Sequence, residues 1–143
     1  KDWPAGRMVT PTLAGTRPGG AISSAWAVMH YLGIEGYRQK QQSVTRARAR
    51  IEEGVAELGF EVLGAPKLGI MAFSHPELDI FALYKRLFER GWVTSLCTQP
   101  KALHLMLSPF HETVVAQYLT DLTWAVAQVR AGVTDAVTEV RYS

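Results

Sequence analysis

The sequence predicts an α+β fold, a largely antiparallel sheet covered on one face by helices. Two observations lead there. Apolar residues recur at helical spacing early and late in the chain, whereas the middle holds short apolar runs, two pairs of them joined by turn-rich segments too brief for a parallel crossover. At 143 residues the chain is about one domain's worth and can bury a core. Its 48% hydrophobic and 20% charged residues are those of an ordinary globular protein rather than a disordered one.

The elements follow in order. Pro4, Gly6, Pro11, Gly15, Pro18, Gly19 and Gly20 break the backbone too often for a helix, so the first twenty residues read as a connector. From Ala21, the apolar residues Ile22, Trp26 and Met29 and then Gly33 recur at helical spacing with almost no charge between them, which predicts a helix buried on most sides. A second helix is predicted from about Glu35 to Leu58, with Val44, Ala47, Ile51, Val55 and Leu58 as its apolar stripe and Gly59 to end it. Phe60 to Leu63 and Leu68 to Phe73 read as strands around Pro66-Lys67. Asp79 to Arg90 reads as a helix with Asp79 as N-cap and Gly91 as C-cap.

Two more strands, Trp92 to Cys97 and Ala102 to Leu107, flank the turn Thr98-Gln99-Pro100-Lys101. Ser108-Pro109 then starts a long amphipathic helix through Val115, Tyr118, Leu119, Leu122, Val126 and Val129 to Gly132. Residues 133–143 are weakly patterned and expected to fray.

Composition excludes several function classes. A net charge of +2, with Lys and Arg interleaved among Asp and Glu, offers no footprint for nucleic acid. No apolar run approaches the roughly 18 residues of a membrane span. The lone Cys97 permits no intrachain disulfide and, in an apolar run, reads as a structural thiol; a reducing, cytoplasmic setting is expected. His30, His75, His104 and His111 lie far apart without metal-ligand spacing, so no metal is expected. Arg46, Arg48 and Arg50 read as a solvated helix face followed by Glu52, Glu53 and Glu57, and the Trp and Phe residues as core.

One stretch carries candidate chemistry. Ala14-Gly15-Thr16-Arg17-Pro18-Gly19-Gly20 places a hydroxyl, a guanidinium and glycine N–H groups just before a helix N-terminus, an arrangement suited to an anion such as phosphate. The spacing fits neither the Walker nor the dinucleotide pattern, and a domain connector would share this composition.

Pro11-Thr12-Leu13-Ala14-Gly15-Thr16-Arg17-Pro18-Gly19-Gly20-Ala21, followed by Trp26 to Gly33, Glu35-Gly36-Tyr37, Gly64 to Leu68, Asp79-Ile80-Phe81, Arg90-Gly91-Trp92 and Leu103-His104-Leu105, resembles the sphingosine-1-phosphate lyases. These belong to the group II pyridoxal-phosphate (PLP) dependent decarboxylases. The resemblance implies the α/β aspartate-aminotransferase (type I) fold. Residues 1–33 would be the end of the large domain, with phosphate loop and connecting helix, and 34–143 the small α+β C-terminal domain.

It also implies PLP as cofactor and a homodimer with composite active sites. The cofactor's lysine would lie upstream of Lys1, leaving no catalytic residue in this chain, which alone should be inactive. Thr16 stands where the family's loop serine reaches the cofactor phosphate of the partner subunit, with Gly15 and Arg17 beside it. His104 stands where related decarboxylases carry a carboxylate-binding arginine. It is the candidate for substrate binding, and packing at a strand end is its other reading. The implied reaction is retro-aldol cleavage of a phosphorylated sphingoid base to an aldehyde and phosphoethanolamine. The alternatives are an amino-acid decarboxylase, of glutamate or aromatic type, and a free-standing non-catalytic assembly module.

Overall fold

A computed structural model of the chain describes residues 15–132. The predicted connector up to Ala14 and the tail from Val133 lie outside the described residues. The chain divides into two compact units, one ending at Tyr37 and one beginning at Arg38.

Helix α1 runs Gly19–Glu57, so the two predicted helices are joined into one span with a single interruption. The interruption is Gly33, at φ 58° and ψ −177°, a backbone region open to glycine almost alone. The first predicted helix is not buried: Ile22, Trp26, Met29 and Ile34 are all exposed, Ile34 at 79%. The described part of the first unit is one turn and one helix, and a single helix has no neighbour against which to bury an apolar stripe. Trp26 instead packs on His30, with ring centroids 4.2 Å apart.

In the second unit the predicted stripe is the buried face of α1: Val44, Ala47, Ile51 and Val55. The helix then stops in a Schellman turn, where the N–H of Phe60 donates to Val55 O and that of Gly59 to Ala56 O, both at 3.0 Å. Helix α2 (Ile80–Glu89) begins as predicted, with the Asp79 carboxylate accepting from Phe81 N–H at 3.0 Å. It ends in the same way, since Gly91 at φ +86° lets the Trp92 N–H return to Leu87 O.

The four strands are β1 (Glu61–Val62), β2 (Ile70–Ser74), β3 (Ser95–Thr98) and β4 (Lys101–Met106), and α3 (His111–Arg130) follows. Their order is β1-β2-β4-β3, antiparallel throughout, as the short connections require. Register decides what is buried. Met71 lies opposite Leu105, and Leu103 pairs with Phe73 on one side and Leu96 on the other. These five fill one face of the sheet and share a core with Ile51 and Val55 of α1, Leu83 and Leu87 of α2, and Val115 and Leu122 of α3. On the alternate face, Ile70 and Met106 sit opposite each other and both are exposed. The antiparallel sheet with helices on one face is therefore observed.

Differences are local. Trp92 to Thr94, predicted as strand, stay outside the ladder, and Cys97 is half-buried rather than buried. Arg46 is more than a solvated side chain: its guanidinium pairs with Glu112 of α3 through Nε at 2.5 Å and Nη2 at 3.1 Å. Arg48 pairs with Glu52 one turn on.

Gly69 sets a close approach. A Cβ there would lie 2.7 Å from Val44 Cγ1 and 2.8 Å from the Leu107 carbonyl oxygen, which belongs to backbone and cannot rotate aside. Gly69→Ala is expected to destabilise the second unit by about 1–3 kcal/mol, read as a lower denaturation midpoint with unchanged steepness.

Candidate functional site

The candidate residues fall in the two units separately. Gly15 and Thr16 form a bend before α1, and Gly15, Thr16 and Arg17 are all exposed. Arg17 Nη1 donates to Gly15 O at 3.2 Å, which holds the guanidinium beside the bend. Apart from its chain neighbours, none of the described residues comes within 4 Å of where a Gly15 Cβ would be, and the first turn of α1 carries no acidic residue. The bend thus offers a hydroxyl, a guanidinium, accessible backbone and the positive end of a helix whose first turn holds no acid. That set suits a phosphate.

His104 lies in the other unit, two residues inside β4, so it is a mid-strand residue rather than one packed at a strand end. It pairs with Ala72 and Ser95 on the sheet face opposite Leu103 and Leu105, and it is half-buried. It borders a cavity of about 140 Å³ that also reaches Trp92, His111 and Tyr118. His111 Nδ1 accepts from the Ser108 N–H at 2.8 Å, fixing the ring at the start of α3.

Beside the cavity lies a polar centre that the hydrophobic patterning passed over. Asp121 is 5% exposed, and its Oδ2 accepts from Trp92 Nε1 at 2.9 Å and from Gln117 Nε2 at 3.0 Å. Oδ1 faces Arg90 at 3.6 Å, and that guanidinium lies 4.0 Å over the Trp124 ring. The Trp92 and Gln117 hydrogen bonds, helped by Arg90 and opposed by burial, hold the carboxyl below its ordinary range. The signal was present in the sequence as an acid amid the stripe Tyr118, Leu122, Ala125, which requires a partner.

Another histidine, His75, has structural work. His75 is buried and its Nδ1 accepts from the N–H groups of Glu77 and Leu78, closing the turn into α2. Among the described residues no three of His, Cys, Asp and Glu converge as metal ligands, and no helix is long and apolar enough to cross a membrane.

No protein-family profile matches the chain. Individual relatives do. The sphingosine-1-phosphate lyase of Arabidopsis thaliana is 39% identical over 131 residues, which are 91% of this chain and 24% of that protein. The solved sphingosine-1-phosphate lyase of Burkholderia pseudomallei superposes with a TM-score of 0.79 at 30% identity, covering 92% of this chain and 30% of that one. The chain is a homologue of the sphingosine-1-phosphate lyases. A probable L-tyrosine/L-aspartate decarboxylase of Methanothermobacter thermautotrophicus is 37% identical over 98 residues, so this lyase homologue also has decarboxylase relatives. It spans about a quarter of the length of the curated lyases it matches.

Proposed function

We propose that the chain is the C-terminal part of a PLP-dependent carbon–carbon lyase that cleaves a phosphorylated sphingoid base to an aldehyde and phosphoethanolamine, working as a cytoplasmic homodimer with composite active sites. The observation that carries this reading is the similarity to named sphingosine-1-phosphate lyases over more than nine-tenths of the chain, in sequence and in fold. Residues 1–33 then close the large domain and 34–143 form the small one.

The bend before α1 suits the cofactor's phosphate. Thr16 supplies a hydroxyl donor, Gly15 an unobstructed backbone and Arg17 a positive charge, for the cofactor bound in the partner subunit. PLP, when bound, supplies the electron sink that makes breaking a carbon–carbon bond feasible. His104 presents an imidazole, which cannot grip a carboxylate in the bidentate manner of arginine, so it disfavours a dicarboxylic amino acid as substrate. The second reading, an amino-acid decarboxylase, is supported by the decarboxylase relative.

Full-length protein given a phosphorylated long-chain base should release aldehyde, and amino acids should release no carbon dioxide. Carbon dioxide alone would replace the lyase by the decarboxylase. Thr16→Ala should weaken PLP affinity about tenfold or more, the loss expected for a hydrogen bond to a charged group, as read by cofactor titration. Thr16→Ser should retain it.

A further inference from the structure

The sheet face that carries His104 changes character from one end to the other. Residues paired across antiparallel strands share a face, so the register sorts this one into rows. At one end lie Glu61, paired with Ser74, and Ala102, paired with Cys97. The middle row is Ala72, His104 and Ser95. The last is Ile70 and Met106, about 7 Å further along the strands. Glu61, the one charged side chain in these rows, therefore stands at the far end from Ile70 and Met106.

The apolar end is also the open end. Ile70 and Met106 are both exposed, Met106 at 65%. The β3 ladder begins at Ser95, level with His104, so Met106 has no strand partner on that side. The cavity of about 140 Å³ opens there, and Ser95, His104, Met106 and the exposed Val93 all border it. None of the described residues in its wall is Asp, Glu, Lys or Arg, so a charged group entering it would give up hydration without a permanent counter-charge. A hydrocarbon chain would instead remove its own surface and that of Met106 from water. Apolar space of roughly 150 Å³ admits a body the size of benzene, so a short stretch of chain fits the cavity and the rest would lie over Ile70.

We infer that Met106, with Ile70 and Val93 beside it, receives the hydrocarbon chain of the substrate where it leaves the polar end near His104, and so sets the preference for long-chain substrates. This rests on the lyase reading, which supplies a substrate with a phosphorylated amine at one end and a long hydrocarbon at the other. Met106 determines specificity in this arrangement, because it touches the chain and none of the reacting atoms.

The test gives the full-length enzyme two substrates, a phosphorylated long-chain base and its analogue with the hydrocarbon tail cut to a methyl group. Aldehyde release yields kcat/KM for each, and wild type should favour the long chain. Met106→Gln keeps the length of an exposed side chain. It should lower kcat/KM for the long-chain base about four- to fifteenfold, the value of one or two buried methylenes, and leave that for the methyl analogue unchanged. Ile70→Thr should act in the same direction by less, and Met106→Leu should keep the preference. An equal loss on both substrates would make Met106 a structural contact, and an unchanged preference would place the chain elsewhere. Either result overturns the inference and leaves the lyase reading intact. Release of no aldehyde from either substrate by wild type would remove the lyase reading itself, and the inference with it.

Discussion

Truncating Phe73 to alanine is expected to cost the second unit about 3–5 kcal/mol, the range for deleting a buried phenyl ring from a core that cannot collapse around the gap. Phe73 has no exposed surface and sits in β2 with a strand on each side, Val62 of β1 opposite it and Leu103 of β4 opposite it again. Its ring meets that of Phe60 edge-to-face at 5.3 Å between centroids, an arrangement that adds to the value of the buried area alone. Backbone ladders hold both neighbours, so they cannot close the gap. At about 4–8 °C per kcal/mol for a unit of this size, the thermal midpoint should fall far enough to leave little folded protein at 37 °C. Denaturant titration of the Phe73→Ala and Phe73→Leu variants checks this, with leucine expected to recover most of the loss. A cost below about 1 kcal/mol for alanine would mean that the ring is not at the centre of the packing.

The second large effect belongs to Asp121. Replacing it by alanine strips the Trp92 indole N–H and the Gln117 amide of their acceptor and takes the counter-charge from Arg90. A partly buried indole N–H without a partner carries much of the desolvation cost of about 1–3 kcal/mol. Arg90 is 43% exposed at its side chain and adds little, because water can replace the lost partner. A total near 2–3 kcal/mol is expected. Asp121→Asn should lose less, since its amide oxygen can still accept from Trp92.

The same carboxylate gives the fold an acid limit. Its folded-state ionisation lies below the ordinary value, chiefly through the Trp92 hydrogen bond, so the unfolded chain takes up the proton first as pH falls. The stabilisation is complete above about pH 5, begins to be lost as pH falls through the ordinary aspartate value of roughly 3.9, and is gone only below the lower folded-state value. Unfolding free energies of wild type and Asp121→Asn measured between neutrality and pH 3 should converge at the acid end, and parallel curves would refute the assignment.

Much of this fold was legible because its elements announce themselves by period and punctuation. The α1 stripe from Val44 to Val55, the Asp79 cap, the Gly59 and Gly91 stops and the α3 stripe through Val129 are local signals, and local signals survive folding. Strand pairing is not local. The sequence suggested two hairpins, but no local signal in it named the pairing of β2 with β4, which joins residues thirty or more apart. The burial expected around Trp26 failed for a related reason, since apolar spacing reports a face that wants covering and says nothing of whether the cover is present.

The site was legible unevenly. The loop chemistry at Gly15, Thr16 and Arg17 is written in consecutive residues. By contrast, the grouping of Trp92, Tyr118 and Asp121 depends on three elements meeting, and only the misplaced acid in the α3 stripe hinted at it. His104 was visible as a residue type, but its position within β4 and beside a cavity was not.

The strand order leaves β1 and β3 as the two open margins of the sheet. Both are poor templates. β1 has two residues and β3 four, and β3 runs directly into a turn containing Pro100, which has no N–H to offer a neighbouring strand. Strand-by-strand growth into fibrils is therefore blunted at both margins. Precipitation of this chain at high concentration should begin instead along the greasy ridge from Ile22 to Tyr37, and mild detergent rather than added denaturant should reverse it.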